Sequence, residues 1–448
     1  MRDLLLTLFV FGSLPFIIRK PFFGVLMFSW LSYMNPHRLT WSYAYDMPFA
    51  AAVALATIVG LVVTRERDRI PVNALMIVWI LWIVWMNVTT LFASDPDLAF
   101  GQWNRAIKVQ IFSLITLVLV RTKQQLNWFV AVIALSVGFF GIKGGIFVII
   151  SKGEFLVWGP PDSFFAGNNG LACALLMVLP LFWYLRSIVP KVWMKYALMA
   201  CILLCAASIL SSYSRGAFLG IAAVCGYLIF KSRARILLGV AVLVVGASLL
   251  AFMPEKWHER IQSIENYEQD ASAMGRINAW RFAYNVAKDH PFVGGGFGVF
   301  NRRMFQVYAP VPEQFHDAHS IYFEVLGEQG FVGLLLFLAI GLLALSKGNK
   351  IRRMTRKNPE MLWAFDLASM IQVSLVGYAV AGLFLGLAYF DLYYHMVAVL
   401  LILERIVHVQ MPKRIIAGRA DAMSSSSGAS CVAGQITIPA SRRLSENA

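Results

Sequence analysis

Apolar residues along this chain come in long unbroken runs, without the three-and-four spacing of helices that bury one face and wet the other. The runs fall at 4–18, 22–35, 47–63, 73–93, 105–120, 127–150, 168–185, 196–212, 215–231, 235–253, 319–345, 363–389 and 391–407. Most have about the 17–25 residues that a helix needs to cross a bilayer. The pattern therefore predicts an all-α polytopic membrane protein with twelve to thirteen transmembrane helices, the first two runs being short enough for a partial or re-entrant hairpin. A basic residue precedes the first run, but no small-residue cleavage site follows it, so it reads as a retained helix and not as a removable signal.

The connections alternate in charge. Basic residues gather at Arg19 and Lys20, at Arg65 to Arg69, at Arg121 and Lys123, at Arg186 to Lys195, at Lys231 to Arg235, in the cluster Lys347 to Lys357, and at Arg405 to Arg414. The positive-inside rule assigns these to the cytoplasm. The intervening connections, 94–104, 151–167, 211–214 and 254–318, then face outside. The chain divides into a first transmembrane part at 1–253, an outward helical loop domain at 254–318, a second transmembrane part at 319–407, and a disordered cytoplasmic tail at 408–448.

Composition agrees with this division: 59% of residues are hydrophobic and 14% charged. The net charge of +15 does not imply a nucleic-acid partner, because it is spread in small groups between apolar runs. Cys173, Cys201, Cys205 and Cys225 lie within apolar runs and Cys431 lies in the tail. None has zinc-ligand spacing or a disulfide partner, and they read as packing residues.

Within the loop domain, 274–288 carries apolar residues at helical spacing and Pro291 ends that helix. Gly294, Gly295, Gly296 and Gly298 then make a flexible turn; they neither follow a strand nor open a βαβ unit, which argues against a phosphate loop.

Candidate chemistry concentrates at the outward ends of helices. Asn168 and Asn169, Arg215, and the group His316, Asp317 and His319 each precede or open an apolar run that heads inward. Each therefore lies at a partially positive helix N-terminus, a natural anion site that an arginine reinforces with a fork of donors. A membrane-embedded anion site suggests a lipid phosphate. Plainer readings stand beside this one: Arg215 as an interfacial arginine reaching to headgroups, and Asn168 and Asn169 as helix caps. His319 suits a general base, with an ordinary pKa near about 6.5, a carboxylate beside it and a second histidine three residues earlier. A solvated or capping histidine is the alternative, and a zinc site on His316 and His319 lacks a third ligand. Lys143, in GIKGGIF, is the clearest charge in the middle of a run.

These residues carry a resemblance. FHDAHSIYFEVLGEQGFVG resembles the His-Asn-x-x-Leu-x-x-x-x-Glu-x-Gly signature of the O-antigen ligase and polymerase superfamily, with Ser320 where asparagine is usual. SSYSRGAFLG is similar to that family's Ser-Arg-Gly element, and GRINAW followed by HPFVGGGFGVF to its loop segment. GIKGGIF with VWGPPDSFFAGNNGLACALLMVLPL resembles the exosortase-associated O-glycosylation ligase branch. The resemblance runs from the N-terminus to about residue 405 and leaves out the tail.

It implies a GT-C-like glycosyltransferase of the bacterial inner membrane, working in lipopolysaccharide biosynthesis with its active site facing the periplasm. Glycan would pass from undecaprenyl pyrophosphate to lipid A core oligosaccharide, with inversion and without a metal or other cofactor. Membrane lipids are the remaining partners expected, and no nucleic acid. His319 would be the catalytic base and Arg215 the pyrophosphate ligand. Arg276 would be a second clamp, and His316, Asn169, Lys143, Arg105 and Lys108 further substrate-binding candidates. The nearest rival is an O-antigen or exopolysaccharide polymerase. A rival of another class is a transporter or flippase for the lipid-linked glycan, which would call for an internal repeat and polar residues in opposed halves, neither of which the sequence contains.

Overall fold

The structure, a computed structural model, describes residues 1–231, 236, 239–240 and 271–430. Its helices are α1 (Arg2–Arg19), α2 (Phe22–Met34), α3 (Phe49–Val63), α4 (Ala74–Leu91), α5 (Pro96–Leu119), α6 (Lys123–Ile150) and α7 (Asn168–Ile188). They continue with α8 (Val192–Leu210), α9 (Arg215–Lys231), α10 (Ala271–Asp289), α11 (Arg302–Tyr308), α12 (Ile321–Thr355), α13 (Leu362–Ala381) and α14 (Asp391–Ser430). No strand occurs among the described residues. The chain is an all-α polytopic membrane protein.

Among the described residues seven stretches are long and apolar enough to cross a bilayer: α4, α6, α7, α8, α12, Pro359–Phe384 and Asp391–Met411. α2 and α3 are apolar but shorter. The expected count of twelve to thirteen also drew on α1, α5, α9 and the run at 235–253, most of which lies outside the described residues. α5 differs most from its expected boundary. Asp95 caps it by accepting a hydrogen bond from the Leu98 amide (3.2 Å), so it begins at Pro96, nine residues ahead of the apolar run. Its first half is polar, and Arg105 and Lys108 lie inside a helix and not at its edge.

Small residues let the bundle close. At Gly145 of α6 an added Cβ would lie 2.7 Å from Leu204 Cα of α8, so only glycine allows the two backbones to approach so nearly. The basic ends are tied by ion pairs, Lys347 and Lys350 to Glu404 (2.7 and 3.0 Å), and Arg121 and Arg405 to Asp68 (3.4 and 3.3 Å). Cys173, Cys201, Cys205 and Cys225 are free thiols. α14 is helical to Ser430; the rest of the expected tail, 431–448 with Cys431, lies outside the described residues.

Residues 271–318 form a small cap. α10 and α11 pack around Ala279, Phe282, Val286, Val299 and Phe305, all fully buried. The glycine turn is not the flexible loop that its composition suggests. Gly294, Gly296 and Gly298 hold positive φ (63°, 77° and 76°), and all three are buried. The amides of Gly295 and Gly296 donate to the carbonyls of Gly327 and Glu328 (2.8 and 2.9 Å). There α12 is itself interrupted, at Gly330 with φ 68° and ψ −171°, an angle pair that only glycine adopts without strain. The turn fills this break, and Phe331 N donates to Pro291 O (2.9 Å). It thereby bolts the cap to the membrane bundle.

Candidate active site

The segment leading into α12 places His319. Its backbone is left-handed, with φ 41°, a conformation that costs a non-glycine residue of order 1–3 kcal/mol and that surrounding structure must enforce. Enforcement is visible on both sides: Trp280 Nε1 donates to Ala318 O (2.8 Å), and Ser320 behind it is fully buried at the N-cap of α12. The imidazole borders a cavity of about 600 Å³. α5 contributes Gln102 and Arg105 to its wall, α7 contributes Asn168 and Asn169, and α12 contributes Glu324 and Glu328.

The His319 pKa is lowered from its ordinary value of 6.5, first by burial, then by the nearby Arg276 charge and by His316, against an opposing pull from Asp317. A lowered pKa keeps the ring neutral at neutral pH, the form that accepts a proton. The His316 ring centroid lies 5.7 Å from that of His319, and the His316 ring fills the space over Gly275 where any Cβ would overlap it. The residue before Arg276 must therefore be small, and the interlock holds α10 against the histidine segment.

A second, smaller pocket of about 70 Å³ adjoins the first, lined by Asn169, Tyr213, Ser214, Arg215, Ser272 and Arg276 among others. Asn169 lines both. Arg215 is the first residue of α9, as the sequence suggested, and Arg276 lies early in α10. A guanidinium group at a helix start, with a second one beside it, suits an anion. The capping role expected of the asparagines is corrected: Gly167 is the N-cap of α7. Asn168 instead spans to the neighbouring turn, its Nδ2 donating to Ser212 O (2.7 Å).

Two predicted candidates stand apart. Lys143 is on an exposed face of α6 and borders neither pocket, because its neighbours Gly144 and Gly145 take the face turned to α8. It is not the buried mid-helix charge that the sequence pattern implied. Lys108 is exposed on α5, three residues after Arg105, and does not line the cavity.

Two glutamates of the cavity were not among the candidate site residues named from the sequence, although Glu328 is the glutamate of the signature motif. Glu324 Oε2 accepts from Ala388 N (3.0 Å), and Glu328 Oε1 accepts from Gly298 N (3.3 Å). The signal was present: two glutamates four apart just after His319 must share one helix face. The cavity's far wall, the 385–390 connection, is held from both flanking helices and from α12. Tyr378 Oη donates to Leu387 O (2.7 Å), Tyr394 Oη to Ala388 O (3.1 Å), and Gln329 Nε2 to Tyr389 Oη (3.1 Å). Among the described residues no three His, Cys, Asp or Glu side chains come together as a metal-ligand set.

Fold and site define a multi-pass membrane protein whose polar chemistry is enclosed at one end of its helix bundle. Residues 200–338 match the family model described as O-antigen ligase, so the chain carries a domain of that superfamily. Residues 1–189 match a family of unknown function (DUF5935). No curated protein matches the chain. The ligase match takes in Arg215, Arg276, His316, His319, Glu324 and Glu328, while Arg105, Lys108, Lys143 and Asn169 lie in the other. The match supports a ligase or polymerase of the polysaccharide-joining kind, a glycosyltransferase-like membrane enzyme.

Proposed function

We propose that this protein is an O-antigen ligase that moves glycan from undecaprenyl pyrophosphate to a hydroxyl of lipid A core oligosaccharide, at the periplasmic face of a bacterial inner membrane. The observation that carries the reading is the junction at Asn169, where a cavity bordered by a neutral histidine meets a pocket bordered by two arginines. Glycosyl transfer from a pyrophosphate needs those two functions side by side.

The acceptor hydroxyl enters the large cavity and gives its proton to His319 as its oxygen bonds to the anomeric carbon. The bond from that carbon to the pyrophosphate oxygen breaks, and the electron pair leaves with the pyrophosphate. Arg215 and Arg276, with the starts of α7 and α9, offset the negative charge that develops there. Attack from the base side and departure from the arginine side are opposite, so the anomeric configuration inverts. His316 holds Arg276 and His319 in register through its packing on Gly275. Arg105 and Asn169 bind substrate from the α5 and α7 walls. The reaction needs no metal ion, since the leaving group meets arginines.

The test is a lipopolysaccharide gel of a deletion strain. Loss of the long-chain ladder together with accumulated lipid-linked glycan is the expected result. A single repeat unit still joined to core would make the enzyme a polymerase, and an unchanged ladder would overturn both.

A further inference from the structure

The face of α10 that the cap's core does not use is aromatic. Its buried side, with Gly275, Asn278, Ala279, Phe282 and Val286, follows the helical period. On a solvated helix the opposite side would carry lysine and glutamate. Here it carries Ile277, Trp280, Arg281 and Tyr284, and Tyr284 is 52% exposed. With Pro310 and Phe323 these residues line a groove of about 390 Å³. Trp280 stacks on Phe323 with centroids 5.0 Å apart, and the pair is fixed from behind by the Trp280 bond to Ala318 O. Asn285 borders the groove too, oriented by its Nδ2 bond to Tyr308 O (2.8 Å).

The groove continues the candidate active site. Arg276, Trp280 and Tyr284 are spaced four apart, so they form one stripe along α10, rising roughly 12 Å in all. The first of the three lines the arginine pocket; the other two line the groove. Phe384, also in the wall of the arginine pocket, lies 6.4 Å from the Trp280 ring.

We propose that this groove is a docking subsite for the glycan chain of the donor, holding sugar units beyond the one that reacts. The proposal rests on the functional reading above. Pyranose rings present C–H faces that pack on aromatic rings, and hydroxyls that Arg281 and the Asn285 amide satisfy at the edge. An apolar lipid tail gains nothing from Arg281 and Asn285. The stripe points away from the pyrophosphate pocket along a cap helix that is not among the membrane spans.

The test compares two donors in the purified full-length enzyme, polyprenyl pyrophosphate bearing one sugar and the same lipid bearing a full repeat. Tyr284→Ala is expected to raise KM for the full-repeat donor about tenfold, the worth of one ring-stacking contact of about 1.4 kcal/mol. KM for the single-sugar donor should change far less, and Tyr284→Phe, which keeps the ring, should restore the wild-type value. Equal losses with both donors would mean a lipid-tail groove or a structural role, and no loss with either would mean an idle surface; each overturns the proposal. If wild-type enzyme transfers neither donor, the functional reading has failed separately. Equilibrium dialysis of the released repeat oligosaccharide then decides the groove: binding lost in Tyr284→Ala upholds it, and binding retained or never present ends it.

Discussion

The two pockets that meet at Asn169 are unlike in size and in chemistry. The larger, about 600 Å³, gathers a histidine, an aspartate, two glutamates and one arginine; the smaller, about 70 Å³, has two arginines and no carboxylate in its wall. A cavity with acceptors and a neutral base suits hydroxyl groups, whereas a tight cationic niche between helix starts suits a compact anion. In the proposed transfer their separation matters: proton removal and anion release would proceed at once, and carboxylates beside the leaving group would oppose its departure. The base and the two arginines of the smaller pocket line different cavities, yet Arg276 still tunes His319 through space.

The largest expected effect breaks the larger pocket alone. His319→Ala should lower transfer on the order of 10²-fold or more, with donor binding and membrane insertion retained. Reconstituted activity above about a tenth of wild type would falsify proton removal by this residue. Next, Arg215→Lys should break the smaller pocket. Lysine keeps the positive charge and the long stem but not the planar fork, and a charge-assisted hydrogen bond is worth about 1.5–3 kcal/mol, so transfer should fall roughly tenfold to a hundredfold. A fully active Arg215→Lys enzyme would return this residue to the role of an interfacial anchor.

The coupling between the pockets gives a subtler prediction. In the proposed mechanism His319 works in its neutral form, and its pKa is lowered, so the acid limb of kcat/KM should lie below pH 6.5, with activity lost as pH falls through that limb. Replacing Arg276 with glutamine removes a neighbouring positive charge, the imidazolium becomes easier to form, and the limb should move upward toward 6.5. A limb that stays in place or moves downward would separate the two pockets electrostatically. The smallest expected effect is none at all: excess chelator should leave turnover unchanged, and activity lost to chelator and restored by a divalent ion would bring back the metal reading of His316 and His319.

Much of this was legible in the sequence because hydrophobic run length and charge alternation are local quantities. His319 and Arg215 could be named as candidates because each lies at or near a helix start that the run boundaries mark, whereas Arg276 was named only through the family resemblance. Lys143 misled because a run of apolar residues says that a helix exists, not which of its faces is covered. Glycines on either side of it decide that, by letting α6 close on α8. Asn168 and Asn169 misled for a related reason. Cap geometry places Gly167 at the boundary and frees both amides for tertiary work, one toward Ser212 and one toward the two pockets.

By itself, then, the sequence determined an all-α membrane protein, its basic ends and the order of its candidate residues, since the bilayer imposes on any chain the same requirement for long, internally hydrogen-bonded apolar helices. Only the tertiary structure decided that the glycine turn after α10 is a rigid bolt in the break of α12, and that Glu324 and Glu328 face the same cavity as Arg105. It also decided that the loop between α13 and α14 forms the opposite wall. Each depends on contacts between segments far apart in the chain, where packing and hydrogen-bond geometry select one arrangement out of many that the local pattern permits equally.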